Sequence, residues 1–153
     1  MYHPLLYTHS YIRWGILILA VYVMVTGIQQ WRQSNPTLEK FQRYLSWYVI
    51  LLDVQTLVGI IMYAFFSPQV QHAFQDFGAA MQRTDLRFWA VEHPLMMSIV
   101  LVLGHLAKIK LKRATEISRG IKTATIFIGI SLAILLFVIP WPFSWIARPF
   151  FRF

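Results

Sequence analysis

The sequence predicts an all-α fold: a bundle of four transmembrane helices with a short interfacial helix between the second and third. Three observations predict it. Of the 153 residues 58% are hydrophobic and only 13% are charged, which is more apolar surface than a soluble domain of this size can hide in a core. The apolar residues gather into four stretches, at about 11–28, 45–66, 88–109 and 123–139, each close to the ~20 residues that a helix needs to cross a bilayer. Lys and Arg crowd into the short segments flanking those stretches. That placement is a membrane-topology signal, so the net charge of +8 points to lipid and not to nucleic acid.

The chain, 1–153, reads as a single membrane-embedded domain, because four spans of ~20 residues use about half of it and leave little for a soluble module. Any site must therefore be built from the bundle. The absence of cysteine excludes disulfides, iron–sulfur clusters, covalently attached haem and thiolate copper. It leaves room for histidine-ligated haem b, copper, zinc or non-haem iron. No nucleophile triad, phosphate loop or paired-carboxylate hydrolase pattern occurs, so the chain reads more readily as an electron-transfer or accessory subunit than as a stand-alone enzyme.

Taken in order, the first helix is expected to start near Pro4, whose fixed φ suits a first turn. It leaves the membrane at Gln29, Gln30, Trp31 and Arg32, an interfacial end and not a signal-peptide cleavage site. Asn35-Pro36 reads as cap and first residue of the second helix, which continues through Phe41 and Tyr44 into its span and is stopped by Ser67-Pro68. Between 69 and 82, Val70, Phe74, Phe77 and Met81 recur at helical spacing among Gln, His and Asp, the pattern of a helix lying in the interface. Thr84-Asp85 is expected to cap the third span, which exits through Lys108, Lys110, Lys112 and Arg113. Pro140 and Pro142 stop the fourth. An aromatic tail follows: Trp141, Phe143, Trp145, Phe150, Phe151 and Phe153, with Arg148 and Arg152, a composition suited to the headgroup level.

Orientation follows from the basic residues. One side holds Arg32, Lys40, Arg43, Lys108, Lys110, Lys112, Arg113, Arg119 and Lys122, the other Arg13, Arg83, Arg87, Arg148 and Arg152, which accounts for all fourteen. Positive charge is retained in the cytoplasm. Both termini are therefore expected outside, in a multi-pass protein of the cytoplasmic (inner) membrane.

Ionisable groups at membrane depth cost ~3 kcal/mol or more each on insertion scales, so those within the spans are the functional candidates. His9 and His93 head the first and third helices, which run in the same direction, each about one and a half turns after its helix start. Two imidazoles at one level on different helices are what the two axial positions of a b-type haem require. Arg13, one turn after His9 on the same face, could hold a haem propionate or pair with Glu92. Equally open is that His9 meets only water at the headgroup boundary and that Arg13 and Glu92 form an ordinary ion pair. His105 lies twelve residues after His93, a rise of ~18 Å and a rotation of about 120°, so the two cannot share an ion. It could be the sole axial ligand of another haem, a quinone hydrogen-bond donor, a partner of Asp53, or a structural residue. Asp53, deep in the second span, should be protonated, paired with a histidine or bound to a cation. Gln55 points about 200° away from it, and Gly59, one turn on, leaves room for a close helix or a planar ligand. Met96 and Met97 could be soft ligands but serve as readily to fill gaps. His3 and His72 fall outside the spans.

As a set, His9-Ser10-x-x-Arg13-Trp14, Gln55-x-x-x-Gly59-x-x-x-Tyr63, Ser67-Pro68, Leu86-Arg87-Phe88, Glu92-His93-Pro94, Gly104-His105 and Ile139-Pro140-Trp141-Pro142-Phe143 give a pattern that resembles small bacterial four-helix membrane proteins known as cytochrome b or cytochrome b-like. The resemblance spans nearly the whole chain and implies a haem-binding or electron-transfer role in the bacterial cytoplasmic membrane. Relatives often carry His where this chain has Asp53, which puts a haem at that second level in doubt. A more distant likeness, to one four-helix half of haem A synthases, rests on architecture and the Gln-x-x-x-Gly element and carries no catalytic role.

Three functions follow as expectations. The first is a redox module that holds haem b through His9 and His93, with Arg13 as propionate partner, and exchanges electrons between membrane quinol and another protein. The second is a non-catalytic accessory or assembly subunit of a larger respiratory or other membrane complex, in which oligomers are also open. The third is a non-haem metal at Glu92, His93 and His9, with Asp53 as a further candidate.

Overall fold

The computed structural model describes residues 2–33 and 35–150; Phe151, Arg152 and Phe153 of the aromatic tail lie outside the described residues. Among these residues every regular element is helical: α1 (Tyr2–Trp31), α2 (Leu38–Ile61) continued by a π-helical turn π1 (Met62–Phe66), α3 (Pro68–Gln75), α4 (Phe77–Gln82), α5 (Thr84–Arg87) running through a second turn π2 (Phe88–Glu92) into α6 (His93–Arg113), and α7 (Ile117–Val138). Four helical segments, Tyr2–Trp31, Leu38–Phe66, Thr84–Arg113 and Ile117–Val138, are long and apolar enough to cross a membrane. The predicted bundle, with short helical elements between the second and third spans, is what the chain forms.

Two helix starts differ from expectation. Thr37, not Asn35, is the boundary residue of α2, in an extended conformation without a side-chain cap. Its backbone N–H donates instead to Gln30 Oε1 at the end of α1, 2.6 Å away, so the connection is tied to the preceding helix. Thr84 is the first residue of α5 and neither it nor Asp85 caps the helix; Asp85 accepts from the Arg83 side chain at 3.1 Å. The interfacial helix is two helices. Asp76 breaks it and caps the second half, accepting from Ala79 N–H at 2.9 Å, a local bond that competes with helix continuation. Ser67 does the same at the head of α3, where Pro68 occupies the first turn.

The four long helices pack in the cyclic order α1, α2, α6, α7, which puts α1 and α6 on one diagonal and α2 and α7 on the other. Phe41, Leu45, Tyr48, Val23, Val100, Ile121 and Ile128 fill the centre. Close approach is permitted by small residues: a Cβ on Gly27 would collide with Thr125 and Phe41, and one on Gly104 would come within 2.9 Å of Leu52. The α2–α7 diagonal is bridged in the core by Tyr48 Oη and Ser131 Oγ, hydrogen-bonded at 2.7 Å. Ile18, Leu57 and Phe137 are exposed on the outside, where an apolar solvent would meet them.

Candidate functional site

The α1–α6 diagonal carries the site. His9 and His93 come together at the end of the bundle where the chain begins, with ring centroids 6.3 Å apart and ring planes at 60°. The Nδ1 atom of each imidazole is buried without a hydrogen-bond partner. Such orphaned atoms are unusual in a finished interior. Around them α2 supplies a floor and a clamp. Gly59 lies under His9, where an added Cβ would stand 3.4 Å from Cε1 and 3.9 Å from Nδ1. One turn earlier, Gln55 Nε2 donates to the His9 carbonyl at 2.9 Å, while its Oε1 is buried and unpartnered. The Gln and Gly of one α2 face thus both meet His9; their spacing indicated room for a close helix or a planar ligand but not this partner.

His93 owes its place to π2. The wide turn over Phe88–Glu92 inserts an extra residue just before His93, and Pro94 follows inside the continuous helical segment Thr84–Arg113, where it offers no N–H to the Ala90 carbonyl four residues back. Turns of this kind recur at functional sites. This one is braced twice: Tyr63 Oη, in π1, donates to the Ala90 carbonyl at 2.8 Å, and Arg87 Nε donates to Glu92 Oε1 at 2.7 Å. Phe88 and Trp89 pack against the His93 ring, each with centroids 5.6 Å away. Glu92 therefore pairs with Arg87, not with Arg13. Nothing in the composition or periodicity of 88–92 announces the π turn.

Arg13 lies within electrostatic range of both imidazoles. Its Nη2 donates to the Phe150 carbonyl at 3.1 Å, and the neighbouring Trp14 Nε1 donates to the same oxygen at 3.2 Å. The aromatic tail thus folds back over the site end of α1: Trp141 lies edge-on to Trp14 at 6.1 Å and stacks on Phe143 at 6.0 Å. Arg148 stands 5.2 Å over Trp89. This strap is a further element that sequence reasoning missed, since only the tertiary fold brings 141–150 to residues 13 and 14.

Asp53 and His105 form a separate pair. His105 Nε2 and Asp53 Oδ1 are hydrogen-bonded at 2.8 Å, joining α2 to α6. Of the roles open to His105, partnership with Asp53 is the one observed. Neither residue joins His9 and His93, and among the described residues no group of three or more His, Cys, Asp or Glu side chains is arranged to hold a metal ion. No family model, curated protein or solved structure matches this chain.

Proposed function

We propose that this chain binds a b-type haem at His9 and His93 and carries electrons within the cytoplasmic membrane of a bacterium, exchanging them with membrane quinol and a protein partner. The observation that carries the reading is the separation of the two imidazoles. The ring centres of His9 and His93 are 6.3 Å apart, near enough that the two side chains would together hold one haem iron.

The surrounding residues fit the group. Both Nδ1 atoms are buried without partners, and Gly59 under His9 together with Phe88 and Trp89 beside His93 makes the surroundings apolar. Bound there, haem would supply a one-electron carrier whose potential follows its axial ligands and the burial around them. The protein's share is to hold two imidazoles on diagonal helices, to keep water away with the aromatic shell, and to offer the Arg13 guanidinium as counter-charge to a propionate. The distribution of Lys and Arg supports an orientation with both termini outside.

Absorption spectroscopy of protein purified from haem-replete cells tests the reading. A Soret band is expected, lost in His9→Ala and in His93→Ala and retained in His72→Ala. Colourless wild-type protein, or a band indifferent to both ligand substitutions, would overturn it.

A further inference from the structure

We propose that the outer face of the α2–α6 seam is the contact surface of a two-fold symmetric dimer, closed by reciprocal pairing of Asp53 and His105 across the interface. The pair points outward. The side chains of His105 and Asp53 are 47% and 48% exposed, although they sit in an apolar stripe. On α2 the exposed residues Ile50, Asp53, Val54 and Leu57 follow one helical face, and on α6 Val102, His105 and Ile109 do the same. The next charged residues are Arg43, ten positions back on α2, and Lys108, one turn on along α6. In the other direction the stripe continues apolar through Leu57 and Val102. Each member of the pair has the other as its polar partner and retains further hydrogen-bonding capacity, which acyl chains cannot satisfy.

A second copy supplies what is missing. Asp53 and His105 stand at one level on neighbouring antiparallel helices. Rotating this face by half a turn about an axis along the helices sets α2 against α6 of the other copy, and Asp53 against the other copy's His105, twice over. The surface is therefore complementary to itself in charge and in depth, the condition for an isologous interface. A helix of an unrelated protein would need its own donor and acceptor at this level; the chain already encodes both.

The absence of native cysteine gives a clean background for cross-linking. Leu57 lies four residues beyond Asp53 and Val102 three before His105, so both stand about one turn from the pair on the same side and would oppose each other between copies. Differently tagged chains, one Leu57→Cys and one Val102→Cys, are co-expressed and oxidised in native membranes. A mixed disulfide dimer is expected, and none when Leu57→Cys is paired with Phe137→Cys on α7. Asp53→Asn and His105→Gln should each lower the linked fraction about tenfold, as removal of one partner of a desolvated pair does, and the exchange Asp53→His with His105→Asp should restore it. The mass of unsubstituted protein in mild detergent gives an independent reading in which no variant has to fold. A monomer, a monomer carrying quinone at this face, or a complex with a different membrane protein there would overturn the proposal. None of these readouts depends on haem, so the dimer and the haem site stand or fall separately.

Discussion

Gly59 and His9 are in contact across the α1–α2 seam: the imidazole lies where a side chain on Gly59 would go, with Cε1 3.4 Å from the position of a Cβ. That distance sits at ordinary van der Waals contact. Gly59→Ala should therefore fold and leave His9 in place. Gly59→Val adds two γ-methyls beyond that Cβ position, on the side of the imidazole, and is expected to displace the ring at an overpacking cost of about 1–3 kcal/mol. Unfolding in detergent reads the stability and, on the proposed haem-binding function, the Soret intensity reads the position of His9. An unchanged spectrum in Gly59→Val would mean that the ring does not depend on this floor.

The Tyr48–Ser131 bond is a second test of the packing. Both residues are fully buried and their oxygens are 2.7 Å apart, so Tyr48→Phe leaves a hydroxyl in the core with its side-chain partner gone. A loss of about 1 kcal/mol is expected, in the range of polar contacts between membrane helices. The double variant Tyr48→Phe, Ser131→Ala should recover much of it, and a double-mutant cycle measures the coupling. Strict additivity would show that the bond contributes nothing.

Much of this fold was legible because the bilayer leaves few choices: backbone groups must bond within their own segment, so apolar length alone identifies the spans. The meeting of His9 with His93 was legible because both sit near the heads of two helices that run in the same direction, although the segments begin at Tyr2 and Thr84, at unequal distances from the two residues. Periodicity served less well between 69 and 82. There it gave the helix but not the break at Asp76, whose side chain caps a second helix; Phe74 and Phe77, on either side of the break, are both exposed and stack on each other. The brace from Arg87 to Glu92 was hidden too. A π turn shifts every later residue around the helix, and ideal α geometry had left Glu92 free for Arg13.

Glycines at the seams predict opposite outcomes for one substitution. At Gly27 a Cβ would collide with the Thr125 hydroxyl and come within 2.9 Å of Phe41, so Gly27→Ala must push α1 from α7. A destabilisation of about 1–3 kcal/mol is expected. At Gly129 the nearest atom is Met24 Sδ at 4.0 Å, and Gly129→Ala should be neutral or stabilise by up to about 1 kcal/mol through helix propensity. Thermal unfolding of the two variants side by side checks the contrast; equal effects would mean that the α1–α7 seam is looser than these contacts imply.

Gln55 separates stability from site geometry. Its Nε2 holds the His9 carbonyl at 2.9 Å, yet its Oε1 is buried without a partner, so the side chain brings one bond and one unsatisfied acceptor. Gln55→Leu removes both, and the two effects oppose each other. Net stability should change by less than about 1 kcal/mol. The His9 carbonyl, however, loses its tether to α2 and the imidazole loses its fixed approach to His93. On the proposed haem-binding function, haem content should fall well before folding does, as happens when a group that orients a ligand is removed. A Gln55→Leu protein with normal thermal unfolding and a weakened, more easily bleached Soret band is the expected result. Parallel loss of both would assign Gln55 to packing alone.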